Sequence, residues 1–170
     1  MWSAVYETYQ LHVAAHGMEL LHASTPCHIG TIRSLFKEYA TSLDFDLCFQ
    51  NFAAELANLP GDYAPPSGCL LLAERDGQAV GCIALRPLSG GHCEMKRLYV
   101  RPGFRGLGIG RFLVEAVIVA ARRMGYREMF LDTVVTMRAA QALYESLGFV
   151  DTESYYHNPL AGTRFMGLTL

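Results

Sequence analysis

The segment RPGFRGLGIGR, residues 101–111, holds four glycines and three arginines. A strand-like run, CEMKRLYV, precedes it, and an apolar run with helical periodicity follows it. Glycines let backbone N–H groups approach a ligand closely, and the start of a helix adds the positive end of its dipole. The segment therefore predicts an anion-binding loop between a strand and a helix, and phosphate is the usual ligand of such loops.

Two familiar phosphate-binding patterns do not fit this loop. The P-loop requires GxxxxGK followed by Ser or Thr, and the loop has no such lysine. The dinucleotide-binding pattern GxGxxG would use Gly106 and Gly108 and would require a third glycine where the chain has Arg111. The pattern that is present is RxxGxG, over residues 105–110.

The composition is that of an ordinary globular protein. Of 170 residues, 51% are hydrophobic and 18% are charged, and the formal net charge is −2. This charge argues against a general nucleic-acid-binding protein, which usually carries a strongly basic face. The five cysteines are scattered and form no CxxC motif, so we expect reduced thiols in a cytoplasmic protein and no metal site.

The remaining pattern along the chain indicates one domain. Residues 1–17 have neither the cationic segment nor the apolar core of a signal peptide, and we interpret them as an N-terminal extension. No apolar run approaches the roughly 18 residues of a membrane span, so no membrane partner is expected. Asp76-Gly77 predicts a hairpin, Pro26 and Asp46 predict the starts of two helices, and residues 149–159 and 163–170 read as two final strands. Residues 18–170 thus predict a single mixed α/β domain.

The loop and its context resemble the GNAT superfamily of acetyl-CoA-dependent N-acetyltransferases. KRLYVRPGFRGLGIGRFLVE (96–115) is similar to the strand, pyrophosphate loop and helix of that family, and AAQALYESLGF (139–149) is similar to its next helix and strand. The resemblance implies the family fold, of class α/β (α+β). This is a twisted, mixed, mostly antiparallel sheet flanked by helices, and it splays apart after the fourth strand to admit the thioester.

The alternation of apolar residues agrees with this family independently. Cys93 and Met95 are followed by Leu98 and Val100, so the alternation slips by one residue. A β-bulge produces such a slip, and the fourth strand of the family carries one. The alternative is that side chains in this run simply tolerate either face of the sheet.

The resemblance also implies acetyl-CoA as the acyl donor, with no metal. Backbone amides of the loop would bind the pyrophosphate under Arg105, and strand residues would contact the pantetheine arm. Many relatives have an asparagine where this chain has Met137, so the missing contact is expected from Thr133 or Gln141. The expected cofactor-binding residues are Leu98, Tyr99, Val100, Arg105, Gly106, Gly108, Ile109, Gly110, Arg111, Thr133 and Gln141.

Two catalytic residues are implied by position. An alkylamine of pKa about 10.4 is roughly one part in 2,500 neutral at pH 7, so a proton acceptor helps. Family members often place a glutamate at the position of Glu94, whose alternative role is a solvent-facing carboxylate near Lys96 and Arg97. Tyr144 matches the family tyrosine that protonates the CoA thiolate. Its alternative role is packing, because it lies in an apolar helical stripe.

The acceptor in this family lies between the first helices and the last strands. Carboxylates and aromatic side chains there suit a cationic amine, although the aromatics of YYHNP can equally frame a turn. The expected substrate-binding residues are Glu38, Tyr39, Phe45, Tyr155, Tyr156 and Asn158. We therefore expect an N-acetyltransferase acting by direct attack on a small primary amine or amino-acid-like acceptor, with a homodimer among its expected states. A non-catalytic acyl-CoA sensor on the same fold is the alternative.

Overall fold

The computed structural model describes residues 17–170, so the expected N-terminal extension lies outside the described residues apart from Gly17. Four helices are described within this range: α1 (Pro26–Thr41), α2 (Phe52–Asn58), α3 (Ile109–Arg123) and α4 (Arg138–Ser146). The strands within it are β1 (Met18–His22), β2 (Cys69–Arg75), β3 (Gln78–Leu88), β4 (His92–Val100), β5 (Glu128–Thr133), β6 (Val150–Asp151) and β7 (Arg164–Thr169).

Across the described part of the chain, these strands form one seven-stranded sheet in the order β1-β2-β3-β4-β5-β7-β6. Neighbouring strands are antiparallel except β4 and β5, which are parallel. The parallel pairing runs from His92 opposite Glu128 to Glu94 opposite Phe130, while β4 continues to Val100. The two strands therefore separate, and the predicted mixed sheet that splays after the fourth strand is confirmed.

The predicted bulge lies in β4, opposite β3. Cys82 pairs with Tyr99 and Ala84 pairs with Lys96, so two steps along β3 match three along β4. Arg97 falls within the longer stretch and has a φ of 59°, in the left-handed region that residues other than glycine rarely occupy. The extra residue is accommodated there.

The bulge explains the slipped alternation of β4. Cys93 and Met95 belong to one hydrophobic core, and Leu98 and Val100 pack against that same core. Tyr99 belongs to the core on the other face of the sheet. Without the extra residue, the last part of β4 would present its apolar side chains to the wrong face.

Helices cover both faces of the sheet. Helix α1 begins where the Thr25 side chain accepts a hydrogen bond from the His28 amide at 3.2 Å, and it buries Ile32, Leu35 and Phe36 against one face. Helix α3 packs on the opposite face with eight buried residues, all of them alanine, valine, leucine or isoleucine. Since only the loop 101–108 separates α3 from the splayed end of β4, the N-terminus of α3 lies at the opening between β4 and β5.

The structure corrects two details of the sequence interpretation. Asp46 accepts a hydrogen bond from the Cys48 amide at 2.8 Å, but only a short 3₁₀ turn follows it, and the N-cap of that turn is Leu47. Helix α2 begins later, because Asn51 has a left-handed backbone (φ 56°) that interrupts the helical run. The first of the two final strands is also shorter than expected, since β6 spans only Val150–Asp151. Within residues 17–170 no helix is both long and apolar enough to cross a membrane.

Candidate active site

A groove of about 610 Å³ opens where β4 leaves β5. Its walls are the end of β4, the glycine-arginine loop, the start of α4 and the segment that follows α1. A groove of this volume is in the range that binds cofactors and small ligands. Nine of the predicted cofactor-binding residues line it: Leu98, Tyr99, Val100, Arg105, Gly106, Gly108, Ile109, Gly110 and Arg111.

The loop presents the N-terminus of α3 to this groove. Gly106 and Gly108 have φ values of 77° and 79°, which a residue with a side chain adopts only at a cost. Gly108 is the N-cap of α3, and it has no side chain that could accept a hydrogen bond from the first turn. The first N–H groups of a helix have no partner within the helix, so those of α3 are available to an anion in the groove.

Arginine side chains surround the same loop. The Arg105 Nε donates to the Val100 carbonyl at 3.0 Å, and its guanidinium lies 6.0 Å from the Tyr99 ring centre. Arg111 donates to Ser146 Oγ at 2.6 Å. Arg138, which the sequence analysis missed, is exposed at the groove and makes no ion pair with any described residue. Its position at the start of α4 was the signal that could have identified it.

The groove continues into a smaller central cavity of about 80 Å³. Both are lined by Tyr39, Phe45, Leu98, Met137 and Ala140, so they share one wall. The deeper part of the cavity adds charged and polar side chains from β4 and β5. A ligand lying along the groove would therefore place its end against these groups.

Tyr144 satisfies both interpretations of its sequence position. It is buried, with its ring centre 5.8 Å from that of Phe149, yet it lines the central cavity. Burial raises the pKa of its hydroxyl, and the nearby Tyr39 and Asp132 act in the same direction. Among the described residues its hydroxyl makes no hydrogen bond, so a neutral phenol is free to donate a proton at the cavity wall.

Thr133 and Gln141, the expected substitutes for the family asparagine, differ in position. Thr133 lines the cavity, and its Oγ1 is buried without a hydrogen-bond partner in the described structure. A buried hydroxyl of this kind requires a partner, which fits a ligand contact. Gln141 instead donates to the Val134 carbonyl at 2.8 Å and lines neither the cavity nor the groove.

Glu94 is fully buried and does not line the cavity. Its carboxylate accepts hydrogen bonds from Arg86 at 2.6 Å, Tyr155 at 2.9 Å and Lys96 at 3.4 Å. Burial raises the pKa of this carboxyl, but the charges of Lys96 and Arg86 outweigh it and hold the pKa below its ordinary value. Glu94 is thus neither the solvent-facing carboxylate of the alternative interpretation nor a group in direct contact with the cavity.

Asp132 is the carboxylate that the cavity does contain, and the sequence analysis missed it. It lies on β5 with its side chain 13% exposed, and its Oδ2 accepts from Asn158 Nδ2 at 3.2 Å. Lys96 also lines the cavity, with Nζ 3.7 Å from Asp132 Oδ1. The available signal was a carboxylate directly after the apolar run 129–131 of the strand EMFLDT.

Five of the six predicted acceptor residues divide into two groups. Tyr39 and Phe45 line the cavity, whereas Tyr155, Tyr156 and Asn158 form a layer behind it. Tyr155 binds Glu94, and the Tyr156 hydroxyl accepts from Asn158 Nδ2 at 2.9 Å. These three residues therefore position the charged groups of the cavity, while Leu160 of the same loop lines it.

Glu38 does not reach the cavity. Its carboxylate is held by Arg101 at 2.6 and 2.9 Å, and the hydrogen bonds from Arg101 hold its pKa below the ordinary value. The expected contact between Glu38 and an acceptor is therefore not supported by its position. It ties α1 to the end of β4.

A second ion pair fixes the bulge itself. The Arg97 guanidinium donates to both carboxylate oxygens of Glu55, at 2.6 and 2.9 Å. It also donates to Gln50 Oε1 at 2.9 Å. Burial raises the pKa of the Glu55 carboxyl, but Arg97 outweighs it and holds that pKa low. Because Arg97 and Gln50 also line the cavity, α2 helps to shape the site.

Comparisons with known proteins agree with this geometry. The model of the acetyltransferase (GNAT) family matches residues 29–149. An uncharacterised N-acetyltransferase of Schizosaccharomyces pombe is 45% identical over 147 residues, which cover 85% of this chain and 90% of that protein. A GNAT-family acetyltransferase structure from Staphylococcus aureus superposes with a TM-score of 0.73 at 21% identity, covering 89% of this chain and 98% of that one.

A further structure, YncA from Salmonella typhimurium, contains its cofactor acetyl-CoA. It superposes with a TM-score of 0.65 at 22% identity and covers 91% of this chain and 94% of that one. At these identities the structures establish the fold, while the family match and the close relative establish the class of enzyme. The chain belongs to the acetyltransferase (GNAT) family and is an N-acetyltransferase.

Proposed function

We propose that residues 18–170 form a single catalytic domain that transfers the acetyl group of acetyl-CoA to the primary amine of a small molecule. The observation that carries this proposal is the continuous path from the exposed N-terminus of α3 to the cavity that holds Tyr144 and Asp132. Acetyl-CoA in the related YncA structure supports the same donor here.

The residues of the groove fit this donor. The uncapped amides of α3 and the arginines beside them suit a pyrophosphate. The unpartnered Thr133 Oγ1 in the adjoining cavity suits a polar group of the donor. The donor supplies its acetyl group as a thioester, and the wall that the groove and the cavity share would hold that end near Tyr144.

Direct attack then requires an amine beside the thioester. We propose that Asp132 accepts a hydrogen bond from the incoming ammonium and receives its proton, directly or through water, so that the neutral amine can attack. Tyr144 donates its proton to the departing thiolate. Its raised pKa keeps it protonated until that step.

Glu94 takes a different role in this proposal from the one expected from sequence. Because it is buried and binds Arg86, Lys96 and Tyr155, it acts as a positioning residue for the charged groups at the cavity. A carboxylate with a lowered pKa is also a weak proton acceptor for an amine. Asp132 is better placed for that step because it lines the cavity.

Calorimetric titration with acetyl-CoA tests the donor site. We expect micromolar binding by the wild type, lost in Arg105→Glu and kept in Arg123→Glu, which makes the same charge change at the other end of α3. Release of free thiol in the presence of small amines then tests turnover. Failure of the folded wild type to bind acetyl-CoA would contradict the proposal, and binding without thiol release for any amine would favour the sensor.

A further inference from the structure

Lys96 is a buried ammonium with few close partners. The residue is 7% exposed, and its Nζ lies 3.4 Å from Glu94 Oε1 and 3.7 Å from Asp132 Oδ1. A hydrogen bond between an ammonium and a carboxylate is normally about 2.7–2.9 Å long. No closer acceptor exists among the described residues, so the donors of Lys96 are poorly satisfied although a buried charge needs partners.

Asp132 uses one carboxylate oxygen for its hydrogen bond to Asn158. Its Oδ2 accepts from Asn158 Nδ2 at 3.2 Å, and the Tyr156 hydroxyl lies near the same carboxylate. Its Oδ1 has the 3.7 Å contact with Lys96, which is too long for a hydrogen bond. The cavity wall thus presents a cation and an anion side by side, each able to bind a further group of opposite charge.

The charges around the cavity balance. Within the described residues, the ion-paired cations around the cavity are Arg86, Lys96 and Arg97, and the carboxylates paired with them are Glu55, Glu94 and Asp132. A bound cation or anion would leave this buried cluster with a net charge, which is costly at low dielectric constant. A zwitterion adds no net charge, and its two charged groups can pair with the Lys96 ammonium and the Asp132 carboxylate.

We propose that the acceptor is an α-amino acid, whose amine faces Asp132 and whose carboxylate faces Lys96. This rests on the proposed function and names its substrate class. In an α-amino acid the two charged groups are joined through a single carbon atom, so they can face two groups 3.7 Å apart. The side chain would meet Tyr39, Phe45 and Leu47, which favours an apolar one.

The reaction balances with the carboxylate unchanged. The ammonium gives one proton to Asp132 or to water, the nitrogen forms an amide bond with the acetyl carbon, and the bond from that carbon to sulfur breaks. The thiolate then takes the Tyr144 proton, and the amide nitrogen loses its second proton to solvent. Solvent reprotonates Tyr144 and takes the proton from Asp132, so that the cycle releases one proton overall. The products are an N-acetylamino acid and free CoA thiol.

Matched substrates test this class without changing the protein. L-leucine is compared with isoamylamine and L-leucinamide, and L-phenylalanine with phenethylamine, by the rate of thiol release from acetyl-CoA. We expect kcat/KM to be at least about tenfold higher for each amino acid than for its counterpart without a carboxylate, the factor that one hydrogen bond between charged groups provides. Equal or faster acetylation of the amines would overturn the inference and leave the proposed function standing.

Variants assign the preference to Lys96. Lys96→Gln should reduce the ratio of kcat/KM for the amino acid to kcat/KM for its amine counterpart to about threefold or less. Lys96→Arg should restore part of this ratio. Lys37→Gln, an exposed lysine on α1, is the matched control. If Lys96→Gln does not fold, the ratio of kcat/KM values measured with the wild type still tests whether the acceptor is an α-amino acid. If none of the probes is acetylated, the inference fails, and the acetyl-CoA titration shows whether the proposed function fails with it.

Discussion

Tyr144 combines a packing role and a chemical role in one side chain. Its ring is held against Phe149, and its hydroxyl faces the cavity without a partner among the described residues. Removing only the hydroxyl should therefore separate the two roles. We expect Tyr144→Phe to lower kcat by about 100-fold or more, the range for general acid catalysis, with little change in acetyl-CoA affinity or in stability. Steady-state kinetics and calorimetry measure both, and unchanged turnover would assign Tyr144 to packing.

Glu94 and Asp132 show where single-residue prediction reached its limit. The family resemblance identified Glu94 as a candidate carboxylate, but its burial depends on Tyr155, 61 residues further along the chain. Asp132 was missed because its partner Lys96 lies on the strand that separates from β5. Contacts of this kind depend on tertiary packing, which the local pattern of either strand does not contain.

Substitution of these two carboxylates tests their different roles. We expect Asp132→Asn to lower kcat/KM for an amine acceptor by about 100-fold. Glu94→Gln should lower kcat less and leave the shape of the rate profile between pH 6 and 9 unchanged, because its pKa is held below the ordinary carboxyl range and it stays ionised there. A pH profile for each variant is the measurement. Loss of the rise in rate with pH in Glu94→Gln alone would return the proton-acceptor role to Glu94.

At the scale of elements, the strand, loop and helix over residues 92–123 were the most predictable part of the molecule. Local sequence patterns predict all three elements. The alternation of apolar residues indicates β4, the glycines indicate the loop, and the helical periodicity of apolar residues indicates α3. The bulge at Arg97 was also visible, as a slip in the alternation. The start of α2 was not, because Asn51 adopts a left-handed backbone that its surroundings impose.

The glycine loop gives a prediction at this scale. Gly108 has a φ of 79° and an added Cβ would meet no atom within 4 Å, so Gly108→Ala changes backbone strain and not packing. We expect a loss of about 1–2 kcal/mol of stability and weaker acetyl-CoA binding, because the first amides of α3 shift. Urea unfolding and calorimetry check both. Gly103→Ala, where a Cβ also meets nothing and φ lies outside the left-handed region, should change neither; equal binding by both variants would contradict this view of the loop.

At the scale of the whole molecule, ion pairs connect β4 to the elements around it. Glu38 joins α1 to Arg101, Glu55 joins α2 to Arg97, and Glu94 joins β4 to Arg86 on β3. All three carboxyls have a lowered pKa. The family resemblance predicted the sheet that these pairs support. It did not predict the pairs, because each joins segments that are distant in sequence or that only the sheet register brings together.

Lowered carboxyl pKa values make stability depend on pH in one direction. A glutamate with a folded-state pKa below its unfolded value of about 4.3 contributes its full stabilisation above that value and loses it as pH falls through the folded-state pKa. Stability should therefore decline below about pH 4.3. We expect Glu55→Gln to lower the free energy of unfolding at pH 7 by about 3 kcal/mol, since it breaks a largely buried ion pair, and to reduce the further loss between pH 7 and pH 3.

Denaturant unfolding at the two pH values measures this difference, and Glu153→Gln is the matched control. Glu153 is exposed and makes no ion pair with the described residues, so its removal should leave the wild-type pH dependence in place. If Glu55→Gln loses as much stability on acidification as the wild type and the control do, the bond between α2 and the bulge is not a source of acid sensitivity. The reduced loss expected for Glu55→Gln would instead show that the ionised Glu55–Arg97 pair holds α2 against β4, beside the acceptor cavity.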